Sequence, residues 1–408
     1  MFTRRVFDVV VVGAGVVGAA CAFYASRSGL SVAVVDRGPV AGGTTGAGEG
    51  NLLVSDKEPG PELGLALLST RLWRELAEEF PGAFEYEAKG GLVVASQQDG
   101  LAALRTFAAA QAAAGVKCEE VPHLADLEPH LAPGLAGGVR YPQDAQVQPA
   151  LAAAHLLKAS GAGLRLGEEV IGVLRDPYGA VRGVRTPRGD LLAPAVVNAA
   201  GTWGGQLAEL AGTSLPVLPR RGFVLVTEPL PRVVRHKVYA ADYVADVASG
   251  SAALQTSAVV EGTAAGPVLI GASRERVGFD RSLSTEVLGK LARQAQELFP
   301  VLREVRVMRA YHGFRPYLPD HLPAIGADGR VPGLWHACGH EGAGVGLAPA
   351  TGALIAEGLA ASGGELTGGA VDVRAFRPER FGPGPPRPGP PDAGALPSGP
   401  GPAAAPPT

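Results

Sequence analysis

Three cysteines in 408 residues, Cys21, Cys118 and Cys338, are an odd number and widely spaced. They exclude a disulfide framework and are one thiolate short of holding an iron–sulfur cluster alone. The pattern fits a reducing cytoplasm. No run of basic residues occurs and the formal net charge is −3, so nucleic acid and anionic membrane surfaces are not expected partners. No internal repeat of 20–50 residues is visible. One uncharged stretch, Val9–Ser26, approaches the length of a membrane span and follows Arg4-Arg5 like a twin-arginine export signal. Asp8 interrupts its start, glycines sit in it at a nucleotide-binding spacing, and cleavage there would destroy the unit that Asp36 completes. No integral membrane contact is expected.

What is present begins in that same stretch. Phe7-Asp8-Val9-Val10-Val11-Val12-Gly13-Ala14-Gly15-Val16-Val17-Gly18 reads as a buried strand, a G-x-G-x-x-G turn and the start of a helix over residues 16–29. A second buried strand, Val32-Ala33-Val34-Val35, ends in Asp36, all within about 30 residues. Gly13 allows the sharp turn, Gly15 lets a pyrophosphate approach backbone N–H groups, and Gly18 lets helix and sheet pack closely. The helix start offers free N–H donors and a positive dipole end. Asp36 is placed to accept hydrogen bonds from a ribose, which disfavours a 2′-phosphate. The unit predicts an adenine-dinucleotide site.

A hydrophobic content of 46% supports a large core and two domains. Apolar periodicity predicts helices over 63–79, 101–114, 149–160, 284–299 and 343–359. Alternation predicts strands in 84–96, a three-stranded meander from 170–174, 181–186 and 191–199, and strands at 223–227, 268–272, 305–311 and 334–338. Nucleotide-type signals at both ends and near residues 196–205 make the cofactor domain discontinuous. The expected division is 1–83, 141–216 and 311–375 for cofactor binding, with 84–140 and 217–310 forming a second domain between them. From residue 376, and above all over Gly382–Thr408, Pro, Gly and Ala dominate without aromatics, which predicts a disordered tail.

Four segments carry further chemistry. The small residues and hydroxyls of the loop 42–51, Gly42-Gly43-Thr44-Thr45-Gly46-Ala47-Gly48-Glu49-Gly50-Asn51, suit close approach to a bulky planar group. Asn198-Ala199-Ala200-Gly201-Thr202-Trp203 ends a strand in small residues, as an ordinary turn also does. Gly339-His340-Glu341-Gly342-Ala343-Gly344-Val345-Gly346 opens a helix whose positive end would stabilise an anionic reduced flavin. Arg315, in Tyr311-His312-Gly313-Phe314-Arg315-Pro316-Tyr317, is able to hold a carboxylate by two parallel hydrogen bonds, or to form a surface ion pair. His336, Cys338 and His340 alternate along one strand, but core and loop roles suit them better than a metal site.

Together these segments resemble the D-amino-acid oxidase family of flavoproteins, which includes glycine oxidase, sarcosine oxidase and D-amino-acid dehydrogenase. The likeness runs from Val6 to about Leu359. It rests on the fingerprint at Gly13–Gly18 with Asp36, on Asn198-Ala199-Ala200-Gly201-x-Trp203, on Phe314-Arg315-Pro316…Pro319-Asp320…Leu322-Pro323-Ala324-Ile325-Gly326, and on Gly339-His340-Glu341-Gly342 to Pro349. Residues 220–229 and 269–280 further resemble the flavoprotein subunits of D-hydroxyproline dehydrogenase, opine oxidase and hydrogen cyanide synthase. The resemblance implies an α/β Rossmann-like FAD-binding domain of glutathione-reductase type with an inserted α+β substrate domain on a mixed or antiparallel sheet.

It also implies non-covalent FAD contacted by Gly13, Gly15, Val16, Val17, Gly18, Asp36, Arg37, Gly43, Thr44, Thr45, Gly50, Asn51, Val170, Ala200, Gly201, Trp203, Arg315, Gly342, Ala343, Gly344 and Val345. The implied reaction moves a hydride from the Cα of an amino or imino acid to flavin N5. Arg315 is the implied carboxylate anchor, with Tyr317 and Tyr243 as candidate catalytic residues. Glu341 and Gly342 stand where glycine oxidase carries a second arginine, which argues against a two-arginine clamp. Implied partners are a [2Fe-2S] small subunit and a second flavoprotein subunit. A stand-alone, peroxide-forming oxidase and a non-catalytic FAD-binding subunit are the alternatives.

Overall fold

The computed structural model describes residues 6–241, 251–360 and 366–382. Its first layer is a six-stranded sheet in the order Ala324–Ala327, Leu334–Cys338, Ala195–Asn198, Val9–Val12, Val32–Asp36, Gly163–Leu166. Val9–Val12 runs parallel to both its neighbours, and Ala324–Ala327 pairs antiparallel at one edge. The central strands are buried on both faces, which is why they read as unbroken Val runs rather than alternating ones. Helix Val16–Arg27 crosses helix Gly344–Ala360 so closely that a Cβ on Gly352 would stand 2.6 Å from the Ala20 carbonyl. Helix Pro61–Glu79 joins the same layer, and its Trp73 donates Nε1–H to the Val345 carbonyl at 3.1 Å.

The second layer is an eight-stranded mixed sheet, ordered Val307–Tyr317, Leu218–Thr227, Val268–Arg274, Gln255–Gly262, Lys237–Ala240, Gly91–Ala95, Gly137–Tyr141, Glu119–Val121. Its pairings are antiparallel except between Lys237–Ala240 and Gly91–Ala95. On one face Phe223, Leu225, Val238, Val260 and Ile270 pack with helix Thr285–Leu298, whose N-terminus Ser284 caps by accepting the Val287 N–H at 3.3 Å. The opposite face carries Val93, Tyr141, Tyr239, Val259 and Ala272 into the core shared with the first layer. The functional cavity lies between the layers.

The structure moves several expected boundaries. The run 191–199 is two strands: Gly189–Leu192 closes the meander, while Ala195–Asn198 enters the parallel sheet. The strand expected over 305–311 runs from Val307 to Tyr317, so the second sheet continues past residue 311 and carries Arg315. Strands Gly137–Tyr141, Gly163–Leu166, Lys237–Ala240 and Gln255–Gly262 were not expected from the pattern. Residues 376–382 do not belong to the tail. Phe376 is fully buried, Pro378–Phe381 forms a 3-10 turn, and Arg380 donates to Asp320 and to the Leu322 carbonyl, both at 2.6 Å. The tail expectation is confined to 383–408, outside the described residues.

Candidate active site

A cavity of about 430 Å³ sits between the two sheets. The G-x-G-x-x-G turn forms its floor for steric reasons. Gly13 has φ +122°, and a Cβ there would stand 2.2 Å from the Ala199 carbonyl oxygen. A Cβ on Gly18 would meet the Gly13 carbonyl at 2.0 Å. Gly18 therefore packs the helix onto the turn and does not itself reach the cavity. No side chain caps the helix at Gly15; its first N–H, of Val16, donates to Thr45 Oγ1 at 3.0 Å. Asp36 braces the turn from the next strand, accepting the Ala14 and Gly38 N–H groups at 2.7 Å each, and still borders the cavity.

Beside Asp36, the Arg37 guanidinium lies 4.3 Å over the Trp203 ring, and Trp203 stacks on Phe279 at 5.5 Å. At the other end of the cavity, helix Gly344–Ala360 begins with no acidic residue in its first turn. A Cβ on Gly43, Gly342 or Gly344 would already stand 3.4–3.6 Å from Trp203, Arg315 or His340. Backbone, not side chain, forms the wall at these points. Two helix starts without an acidic residue in their first turns, with glycine walls and the Asp36 carboxylate at the cavity edge, fit FAD. Gly13, Gly15, Val16, Val17, Asp36, Arg37, Gly43, Thr44, Thr45, Gly50, Asn51, Val170, Ala200, Gly201, Trp203, Arg315, Gly342, Ala343, Gly344 and Val345 all border this one cavity.

The opposite wall is charged. Arg315 is half-buried on strand Val307–Tyr317 and donates from Nη1 to the Ser273 carbonyl at 2.8 Å. Its space is made by Gly222, where a Cβ would stand 2.1 Å from that Nη1. Arg220 is the register partner of Arg315. It is fully buried, hydrogen-bonded to Glu341 and, at 2.8 Å, to Gln255 Oε1. Glu341, at φ +49°, also meets His321 Nδ1 at 2.9 Å. Burial works to raise the Glu341 carboxyl, but the His321 hydrogen bond and the Arg220 guanidinium hold it below the usual range. A second arginine, from strand Leu218–Thr227, thus stands behind the wall, tied to the cavity-lining Glu341.

Asp56 and Lys57 complete this wall. Lys57 is buried, 2.8 Å from Asp56 and 3.6 Å from Glu62. The segment is fixed from behind. Gln111 donates to the Lys57 carbonyl at 2.7 Å, and buried Asp144 accepts the Val54 N–H at 2.8 Å and the Ser55 hydroxyl. Burial pushes the Asp144 carboxyl up to about 7. A second cavity of about 300 Å³, bordered by Glu62, Arg274 and His321, shares Asp56, Lys57 and Glu341 with the first. Arg220, Asp56 and Lys57 escaped the sequence reading. Asp56 and Lys57 stand in a polar, Gly- and Pro-containing stretch and Arg220 beside Arg221, so no local pattern marked them.

Tyr317 is buried outside the cavity, between Arg220 at 5.7 Å and Arg276 at 5.4 Å, so a direct catalytic role does not fit its place. Tyr243 lies outside the described residues. Burial pushes the Cys338 thiol up to about 12, so it stays protonated and poorly nucleophilic at neutral pH. His336 bonds to Asp328 and Asn198, and His340 to Thr351. Among the described residues no group of His, Cys, Asp or Glu is arranged to hold a metal ion, and no helix is long and apolar enough to cross a membrane.

Residues 8–358 match the family of FAD dependent oxidoreductases (DAO). The chain belongs to this family. Hydrogen cyanide synthase subunit HcnC of Pseudomonas aeruginosa is 30% identical, over 86% of this chain and 92% of its own. Glycine oxidase of Geobacillus kaustophilus is 31% identical over the same shares. The crystal structure of that glycine oxidase superposes with a TM-score of 0.81 at 27% identity, covering 92% of this chain and 98% of the other. This member of the FAD dependent oxidoreductases is therefore a flavoenzyme with the Rossmann-like fold of its relatives.

Proposed function

We propose that this chain oxidises an amino or imino acid at the carbon between its amine and its carboxylate, as the catalytic subunit of a multi-subunit dehydrogenase. The carrying observation is Arg315: a guanidinium on a strand of the second sheet, pointed by Gly222 and Ser273 into the cavity whose other wall fits FAD. Two parallel hydrogen bonds from such a fork fix a carboxylate in both position and orientation. Bound FAD, held without a covalent bond by the glycine turn, Asp36, the loop 42–51 and the start of helix Gly344–Ala360, supplies the hydride acceptor.

The remaining residues position and exclude. Gly342 and Gly344 keep the cavity open where a side chain would fill it. Lys57 and Glu341 are matched by Asp56, Glu62, Arg220 and His321, so the wall is polar yet close to charge-balanced. That suits a substrate carrying both charges. Burial pushes the His340 imidazole down to about 3, leaving it neutral. With the carboxylate held by Arg315 and the amine neutral, the reaction needs orientation more than a strong base. Three cysteines do not make a cluster, so onward electron transfer would use partners: a [2Fe-2S] small subunit and a second flavoprotein. A similar relative is itself a subunit.

The test is anaerobic. The FAD-loaded protein is mixed with glycine, sarcosine, proline, D-hydroxyproline, D-alanine and an opine, and loss of the flavin band is followed. At least one bleaches it stoichiometrically; bleaching by none of them contradicts the proposal. Co-purification from the native host separates the subunit reading, which expects the two partners, from an air-reoxidised homo-oligomer that forms peroxide.

A further inference from the structure

Hydride loss from Cα needs a neutral amine, whereas an amino acid in neutral solution carries an ammonium group. One proton must therefore leave the cavity in each turnover. Lys57, Glu341 and Arg220 are already matched to one another or to their neighbours. Glu49 is different. It borders the cavity, its Oε2 accepts one long bond of 3.4 Å from Asn51, and its Oε1 is buried with no hydrogen-bond partner.

Behind Glu49 lies more unsatisfied charge. Glu261 is fully buried with neither carboxylate oxygen hydrogen-bonded, and Lys237, equally buried, has no acceptor for Nζ. The two are register partners on adjacent strands. Glu49 Oε1 stands 2.3 Å from the place of a Cβ on Gly271, and Gly271 is the register partner of Val259. Val259 and Glu261 share one face of their strand, about 7 Å apart. Glu49 and Glu261 are thus neighbours on the face turned toward the first sheet. Next comes Lys89, 2.5 Å from the Gly262 carbonyl and 3.5 Å from Glu87, whose side chain is 27% exposed.

A buried carboxylate oxygen without a hydrogen bond is costly to keep, and two neighbouring carboxylates with such oxygens, set between cavity and surface, are not a packing device. We propose that Glu49 and Glu261 form a proton outlet, carrying the amine proton of the substrate from the cavity to the surface at Glu87; this rests on the reading of the site as one for an amine beside a carboxylate. The ammonium N–H bond breaks with its electron pair left on nitrogen, and an O–H bond forms on Glu49. The proton passes to Glu261 and leaves by Glu87, so each carboxylate returns to its starting state. The groups facing the path are Tyr311 at Glu49, Lys89 and Lys237 at Glu261, and Arg232 near Lys89. Burial raises the Glu261 carboxyl to about 7, opposed by Lys89 and Lys237. That value lets it both take and release a proton near neutrality.

The test separates binding from proton movement. FAD-loaded wild type, Glu49→Gln and Glu261→Gln are mixed in a stopped-flow cell, in weak buffer with a pH indicator, with 2-aminoisobutyrate and with 2-methylproline. Both probes carry an amine and a carboxylate but no Cα hydrogen, so they bind without turnover. Wild type should shift the flavin band and release the proton together. Each variant should keep the flavin shift but release the proton about tenfold more slowly or worse, and Glu261→Asp should recover part of the rate. Release at the wild-type rate in either variant, with binding intact, overturns the outlet. Binding of neither probe by wild type overturns the amino-acid reading, and the outlet falls with it. If a core variant fails to load FAD, Glu87→Gln at the exposed end decides: slowed release supports the outlet and unchanged release contradicts it.

Discussion

The two walls of the cavity are built on opposite principles. The wall from residues 13–51 and 199–203 is mostly backbone, shaped by glycines whose missing Cβ atoms leave room for neighbouring carbonyls. The opposite wall is made of side chains, most of them charged: Arg315 from the second sheet, with Asp56, Lys57 and Glu341 beside it, and behind it the buried Arg220, Glu261 and Lys237. Backbone walls tolerate almost no added volume but carry no net charge. Charged walls tolerate changes of volume but not the loss of one partner. The two should therefore fail differently when mutated.

The sharpest break is steric. Gly13→Val and Gly18→Val each force a side chain onto a carbonyl at 2.2 or 2.0 Å. Both should yield protein without FAD or without a cooperative melt, a loss of about 4 kcal/mol or more, read by flavin absorbance and circular dichroism. The second break falls on function alone. Arg315→Ala should keep FAD but lower kcat/KM by about a hundredfold or more. Gly222→Ala should imitate it by displacing the guanidinium from its place beside the Ser273 carbonyl. A Gly222→Ala protein with wild-type KM would show that this Arg315 pose is not the one that anchors substrate.

Loss of one charge partner should cost less than a steric clash. Lys57→Met leaves buried Asp56 without the ammonium beside it and should destabilise by about 3 kcal/mol, measured by thermal melts, while conserving the FAD spectrum. The smallest effect has the opposite sign. The Glu261 carboxyl is raised to about 7 in the folded chain, above its unfolded value near 4.3. Wild type therefore loses stability as pH rises from about 4 through 7. Glu261→Gln removes that slope, so it should melt higher than wild type at pH 8.5, by on the order of 1–3 kcal/mol, and no higher at pH 4.

The same contrast explains what was legible in the sequence. Gly13, Gly15, Gly18 and Asp36 act within one strand–helix–strand unit, so local spacing was enough to place them. The burial of Val9–Val12 on both faces explains its unbroken apolar run. Gln255–Gly262 and Lys237–Ala240 escaped because Glu261 and Lys237 put charge on their buried face and broke the expected alternation. Arg220 and Lys57 gain meaning only through Glu341 and Asp56 once the layers close. Tyr317 shares a strand with Arg315 but packs between Arg220 and Arg276, so proximity in sequence misled. The boundary at residue 311 failed for a related reason: one long edge strand serves the second sheet while its far end reaches the cofactor cavity.

The most direct test is a crystal structure of the FAD-loaded chain with 2-aminoisobutyrate or 2-methylproline. The pyrophosphate should lie at the Gly13–Gly18 turn, the ribose at Asp36 and the flavin between the loop 42–51 and Gly342–Gly344, with the probe carboxylate on Arg315. FAD seated elsewhere, or a probe carboxylate bound away from Arg315, would contradict a cavity whose backbone wall takes the cofactor and whose charged wall takes the substrate.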